Sequence, residues 1–375
     1  MRLAASFAFV ASLAIGLAAC GSEPPPKTAP NYAVRPADEL LVRRVQAAYD
    51  AVRRSARFWP GFDKTNVQAM LIYDERGEWF FGQSQDLRGF HRTGQIMNGL
   101  PVNYAEPSLF LTGEVKPYAR IRKQDGWLGR IGWRDFDADT RHPRSEPMMI
   151  MQELTTAKQN HRMIASTEDW ISVYVHECFH VFQHEFADLR NAQKIGWDET
   201  DDRSVLDKLA ASGDYERAVT AEFVMLNDAV TEATTKDSAR HTLKRWLAAR
   251  EERVRRFQKD FAKAGGKGDL DRVDMFLTSS EGTAKYVEHL YVTTPEAFDD
   301  PSLVGDPLAR QYVPPENAGA KKLIRRTVTY RGVGNYFYTI GDLVSRLLDV
   351  ADESWKSKAF DRSTLLMGAV AALPE

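Results

Sequence analysis

The sequence contains very little cysteine. Cys20, near the N-terminus, and Cys178, in the middle of the chain, are the two that occur. If Cys20 carries a lipid, as the N-terminal residues indicate below, no intramolecular disulfide can form. Stability must then come from a hydrophobic core, and 375 residues are enough to bury a sizeable one.

An excess of charge of one sign is also lacking. The 50 lysines and arginines nearly balance the 52 aspartates and glutamates, so the formal net charge is −2. Because there is no sustained basic patch, the sequence gives no reason to expect a nucleic-acid partner. The apolar run of residues 3–17 is too short, and wrongly flanked, for a permanent membrane span.

The first residues predict a signal peptide over residues 1–19. Arg2 supplies the positive start, an apolar segment follows, and Leu17-Ala18-Ala19-Cys20 provides a small-residue cleavage site. This ending resembles the bacterial lipobox, in which cleavage leaves the cysteine, here Cys20, as the lipidated first residue. Since no aspartate follows Cys20, the resemblance implies lipid anchoring in the outer membrane of the bacterial cell envelope, facing the periplasm. An ordinary secreted protein cleaved nearby is the alternative.

The remaining chain predicts an α+β protein. Proline-rich residues 20–36 read as a tether, residues 37–165 as a small N-terminal α/β part with a sheet, and residues 166–375 as a mainly helical lobe. The predicted strands are residues 67–73, 78–82, 110–111, 148–151 and 162–165. The predicted helices are residues 36–57, 166–189, 205–229, 237–263, 335–350 and 363–373.

The most informative motif is His176-Glu177-Cys178-Phe179-His180, which has the form H-E-x-x-H. On a helix the two histidines lie on one face, where both can bind one metal ion, and Glu177 can take a proton from a water molecule there. Ser166-Thr167-Glu168-Asp169 predicts the start of that helix. Cys178 lies away from the histidine face and is interpreted as packing. The competing interpretation is a buried helix whose histidines make core hydrogen bonds.

A third ligand is expected in Glu281-Gly282-Thr283-Ala284-Lys285-Tyr286-Val287-Glu288. This E-G-x-A-x-Y-x-E segment resembles the one that carries the zinc-binding glutamate of the aminopeptidase N-like family, a branch of the gluzincin metallopeptidases. The resemblance implies that Glu281 binds Zn²⁺ with His176 and His180. The family keeps its second histidine and its glutamate close in sequence, whereas here residues 188–278 would form a helical insertion between them.

Other acidic side chains remain open for this site. Glu222 is the rival third ligand, and Glu216 is a weaker one. If Glu281 binds the metal, Glu222 or Glu288 is expected to orient a histidine from outside the first coordination sphere. The acidic residue that related families place four positions after the ligand glutamate is replaced here by Lys285. His184 is expected to be a surface or supporting residue, not a fourth ligand.

A tyrosine completes the resemblance. Tyr338-Thr339-Ile340-Gly341 is similar to the Y-x-x-G helix start of the same family, whose tyrosine stabilises the transition state, and this implies that role for Tyr338. Tyr336 and Tyr330 are nearby alternatives, and all three could be core aromatics.

Two functions are therefore expected. The resemblance implies a zinc-dependent hydrolase, a peptidase that acts on a peptide or protein substrate and is held at the membrane through Cys20. The alternative is a non-catalytic envelope lipoprotein that binds a partner, with a structural or vestigial metal site. Glu177 separates the two, because a structural site has no need of a carboxylate beside its first ligand.

Overall fold

A computed structural model describes residues 36–65, 69–74, 77–82, 91–97, 100–105, 129–132, 148–194, 199–232, 235–312, 336–360 and 363–374. The signal peptide, Cys20, most of the tether, the strand at residues 110–111 and Tyr330 lie outside these described residues. The helices are α1 (Pro36–Arg53), α2 (Leu154–Asn160), α3 (Thr167–Gln183), α4 (Ala187–Lys194), α5 (Glu199–Ala210), α6 (Asp214–Thr231), α7 (Lys236–Lys263), α8 (Leu270–Val292), α9 (Tyr336–Ala351) and α10 (Leu365–Ala371). The predicted α+β class is confirmed.

The strands within the described residues form one six-stranded sheet. They are β1 (Ala69–Asp74), β2 (Gly77–Phe81), β3 (His91–Met97), β4 (Leu100–Ala105), β5 (Gly129–Gly132) and β6 (Met148–Gln152), in the order β3-β4-β2-β1-β6-β5. β1 pairs with β6 in parallel, and the other neighbours are antiparallel. β2 is buried along its whole length, as expected for a central strand whose faces are both covered.

The helix that carries the H-E-x-x-H motif is α3, and its start is as predicted. The Ser166 hydroxyl accepts from the Asp169 amide at 3.2 Å, and the Asp169 carboxylate accepts from the Ser166 amide at 3.1 Å, which closes a capping box. Helix α1 packs against α3. The buried Arg44 of α1 donates to Asp306, and Asp306 also accepts from the Thr167 hydroxyl at 2.8 Å. These bonds hold the start of the motif helix in place.

Three predicted elements are corrected. Residues 162–165 are not a strand, because residues 162 and 163 form a turn, residues 164 and 165 have no regular secondary structure, and Met163 is exposed. The helix predicted over residues 205–229 is divided into α5 and α6. The break lies at Gly213, whose φ of 69° belongs to the left-handed region that glycine adopts without strain. In addition, the helix predicted over residues 166–189 ends at Gln183, before α4 begins.

The helical lobe is held together by a buried charge cluster. Arg253 of α7 donates to Glu222 of α6 at 2.5 Å and to Asp274 of α8 at 2.9 Å. Arg250 donates to the other oxygen of Asp274 at 2.5 Å, and the Tyr336 hydroxyl of α9 also donates to Asp274. Burial alone would raise the pKa of Asp274, but the two arginines hold it below its usual value. Helices α6, α7, α8 and α9 are therefore joined by buried ion pairs and by the hydrogen bond of Tyr336.

Among the described residues, none of the helices combines the length and the apolar character needed to cross a bilayer.

Replacing Arg253 by methionine is expected to cost about 3–5 kcal/mol in the free energy of unfolding, because Glu222 and Asp274 would stay buried without their partner. Denaturant unfolding measures the loss. Arg255→Met is the control, since Arg255 is exposed on the same helix and pairs with Glu252, three residues before it. Equal unfolding midpoints for Arg253→Met and Arg255→Met would show that the buried cluster does not stabilise the lobe.

Candidate metal centre

The motif histidines lie side by side on α3. The ring centroids of His176 and His180 are 4.9 Å apart, and the rings are nearly perpendicular. His176 is buried and His180 is partly buried. Cys178 points elsewhere, into the core beside Tyr174, and burial raises the pKa of its thiol well above the usual value. Its interpretation as a packing residue therefore agrees with its surroundings.

Glu281 reaches this pair from α8, which packs directly on α3. Its Oε2 atom lies 3.6 Å from His176 Nε2 and 3.4 Å from His180 Nε2. One donor atom from each of the three residues lies within 4.8 Å of the others. The structure thus brings together the three residues that the sequence proposed as ligands, and the cluster could hold a metal ion.

The second nitrogen of His176 faces an acidic side chain. His176 Nδ1 lies 3.1 Å from Glu288 Oε2, and the Lys285 ammonium contacts the other oxygen of Glu288. Burial alone would raise the pKa of Glu288, but Lys285 and His176 hold it far below its usual range. Burial alone would likewise lower the pKa of His176, but hydrogen bonds with Glu281 and Glu288 raise it to about 9. Glu288 is therefore the carboxylate that faces the second nitrogen of His176.

The second nitrogen of His180 faces an amide. His180 Nδ1 lies 2.7 Å from Gln183 Oε1, and Gln183 is buried at the end of α3. Sequence reasoning missed Gln183. The available signal was its position three residues after His180, which places the two side chains on adjacent turns of one helix face.

The structure corrects the role considered for Glu222. Its carboxylate accepts from Arg253 and, at 3.2 Å, from the indole nitrogen of Trp246. Both of its oxygens thus belong to the buried charge cluster, and it does not join the histidines. The reason is that Glu222 lies on α6, which packs against α7 and α9, whereas α8 carries Glu281 to α3. The weaker alternative, Glu216, is exposed on α6.

The structure also distinguishes between Tyr338 and Tyr336 as the tyrosine of the site. Tyr338 is half-buried in the first turn of α9, and its ring centroid lies 6.0 Å from that of His176. Tyr336 is fully buried, and its hydroxyl bonds Asp274 within the charge cluster, so it has a structural role. Of the two, Tyr338 is therefore the one beside the histidines.

The remaining motif residues fit these positions. Glu177 is partly exposed. Burial alone would lower the pKa values of His176 and His180, but Glu281 raises both, and the charge of Glu177 adds a smaller contribution in the same direction. His184 follows the last turn of α3, outside the cluster. Burial, together with the charges of His180 and Arg190, lowers the pKa of His184 to about 4, so this side chain is neutral at neutral pH.

Helices α8 and α9 are in backbone contact at two glycines, Gly341 and Gly282, and Gly282 directly follows the candidate ligand Glu281. A Cβ added to Gly282 would lie 2.5 Å from Gly341 Cα and 2.9 Å from the Phe337 carbonyl oxygen. Both contacts involve backbone, so neither can be relieved by moving a side chain. The glycines of the E-G-x-A and Y-x-x-G segments are therefore the residues that let Glu281 and Tyr338 approach the same histidines.

Comparisons of the chain with family models, with curated proteins and with solved structures found no match.

Gly282→Ala is expected to destabilise the protein by about 1–3 kcal/mol, because the added methyl group forces α8 away from α9. Since Glu281 is the preceding residue, metal affinity should fall in the same variant. Thermal unfolding and zinc titration measure the two effects. Gly341→Ala enters the same contact from the other helix and should behave alike. Wild-type stability and zinc affinity in both variants would contradict the close helix contact.

Proposed function

We propose that this chain is a zinc-dependent hydrolase of gluzincin type, and specifically a peptidase. The observation that carries the proposal is the convergence of His176 Nε2, His180 Nε2 and Glu281 Oε2 from two helices. The signal-peptide pattern and Cys20 support a location at the bacterial envelope, with the lipid as the membrane anchor.

The donor set fits zinc in chemistry and in spacing. Two imidazole nitrogens and one carboxylate oxygen are a common catalytic zinc set, and three protein ligands leave one position open. Donors bonded at roughly 2.0–2.2 Å in a tetrahedron lie about 3.4 Å from one another. The 3.6 Å and 3.4 Å separations from Glu281 to the two histidines agree with this value. When bound, zinc would supply a Lewis acid that polarises a carbonyl and makes a water molecule more acidic.

The neighbouring side chains supply the proton transfers. Glu177 is adjacent to His176 and partly exposed, so its carboxylate can accept a proton from water and later donate it to the leaving amine. Tyr338 lies beside His176, and its hydroxyl can donate a hydrogen bond to the oxygen that becomes negative. These two groups distinguish a hydrolytic site from a structural one.

Metal content tests the ligand set. The purified wild-type protein is expected to retain zinc, and His180→Ala is expected to lose it, because two donors hold zinc far more weakly than three. Elemental analysis after dialysis gives the ratio of zinc to protein. His184→Ala is the matched control, since it removes an imidazole from the next turn and should keep the metal. Equal zinc content in His180→Ala and wild type would overturn the assignment.

The role of Glu177 is tested by an isosteric change. Glu177→Gln should keep zinc but reduce peptide hydrolysis by roughly 10²–10⁴-fold, because an amide cannot accept the proton. A peptide library analysed by mass spectrometry, with chelator-treated protein as the blank, reports the cleavage. If Glu177→Gln cleaves as fast as the wild type, or if the zinc-loaded wild type cleaves nothing, the peptidase proposal fails and the alternative of a non-catalytic partner-binding lipoprotein is favoured.

A further inference from the structure

Gln183 connects the two helices that carry the metal donors. It is the last residue of α3, one turn after His180, and it is almost completely buried. Its Nε2 atom donates to the Ser280 carbonyl oxygen and to the Thr283 hydroxyl, both at 2.8 Å. Ser280 and Thr283 stand on either side of Glu281 in α8. One side chain therefore contacts His180 on its own helix and also the segment that holds the third donor.

The neighbours of Gln183 determine which way its amide points. The Ser280 carbonyl oxygen carries no proton, so only an N–H group can face it at hydrogen-bond distance. The Thr283 hydroxyl donates its proton to the Ser279 carbonyl oxygen, so it too accepts from Gln183. A reversed amide would place an oxygen against two acceptors. The amide nitrogen must therefore face α8, and the amide oxygen must face His180.

This orientation selects one tautomer of His180. An amide oxygen only accepts, so the His180 Nδ1 atom, 2.7 Å away, must carry the proton. The Ser280 hydroxyl, 3.3 Å from the same amide oxygen, can donate to it as well, which is consistent with this direction. In the neutral ring, the Nε2 atom of His180 then holds the lone pair, and this is the atom 3.4 Å from Glu281.

We infer that Gln183, held by Ser280 and Thr283, is a positioning residue that keeps His180 in the Nδ1–H tautomer and fixes Glu281 opposite it. The inference deepens the proposed zinc site and rests on it for its purpose, since the free Nε2 lone pair is what a cation needs. The tautomer itself, however, is a property of the metal-free chain and can be measured without zinc.

The tautomer test uses metal-free protein with ¹⁵N-labelled histidine, at a pH where His180 is neutral. Long-range ¹H–¹⁵N spectra, with the His180 signals assigned by their loss in His180→Asn, show which nitrogen carries the proton. Wild type should show Nδ1–H. Gln183→Leu should convert His180 to a mixture that contains the Nε2–H form, because the accepting oxygen is gone.

The affinity test uses zinc alone, in competition with a chelating dye. Gln183→Leu should weaken zinc binding by roughly 10–100-fold, the usual effect of losing a partner of a ligand histidine. Gln258→Leu is the matched control. Gln258 also bridges a neighbouring helix to α8, by donating to Gly268 and accepting from Leu270, but it does not contact the histidines. It should bind zinc like the wild type.

Thr283 provides a second pair of variants if Gln183→Leu does not fold. Thr283→Ser keeps the hydroxyl acceptor and should retain the wild-type tautomer and affinity, whereas Thr283→Val removes the acceptor and should shift both in the direction of Gln183→Leu. A wild-type His180 that carries its proton on Nε2 would overturn the inference. So would unchanged tautomer and affinity in Gln183→Leu or Thr283→Val. If no variant binds zinc but the tautomers behave as expected, the proposed function fails and the positioning role stands.

Discussion

Helix α8 must pack closely against two helices at once, and the candidate metal centre depends on that constraint. Consecutive residues of a helix point about 100° apart, so neighbours in sequence meet different partners. Glu281 faces the histidines of α3, while Gly282, the next residue, touches Gly341 of α9 through backbone. A side chain at either glycine would separate the helices. The position of the third donor thus follows from a contact that leaves no room for a Cβ atom.

Three acidic residues lie along one side of α8, and each is paired with basic side chains that stabilise its negative charge. Asp274, Glu281 and Glu288 recur at every seventh position, so they lie along one side of the helix. Asp274 is paired with two buried arginines, which stabilise its ionised form. Further along, the partners are His176, His180 and Lys285. Burial alone would lower the pKa of His176, but Glu281 and Glu288 raise it, so a positive charge is favoured beside these carboxylates. A divalent cation between Glu281 and the two imidazoles would supply it without protonating a ligand.

Local rules predicted the parts of the site that are close in sequence. The i, i+4 spacing placed His176 and His180 on one face, and the capping pattern at Ser166 located the start of α3. Glu281 was predicted from its resemblance to a family segment. Strands β3, β4 and β5 were not predicted. β3 and β5 lack a clear alternation of polar and apolar side chains, and β4 alternates at Leu100, Val102 and Tyr104 but contains Pro101, which argues against a strand.

The features that could not be predicted from the sequence depend on contacts between residues that are far apart in it. Helix periodicity shows that Glu222 lies on a helix but not which helix that one contacts, so its pairing with Arg253 could not be deduced. The pairing of Glu288 with His176 and of Gln183 with α8 depends equally on the register between α3 and α8. Gly213 was a visible signal for the break between α5 and α6, but a single glycine inside a helical pattern is often tolerated.

The proposed site holds one zinc ion between two imidazoles of α3 and a carboxylate of α8. A zinc K-edge X-ray absorption spectrum of the purified protein identifies the atoms bound to the metal. We expect a first shell of nitrogen and oxygen only, at roughly 2.0–2.2 Å, with two imidazoles and one protein carboxylate. A shell that contains sulfur at about 2.3 Å, or three or more imidazoles, would contradict it.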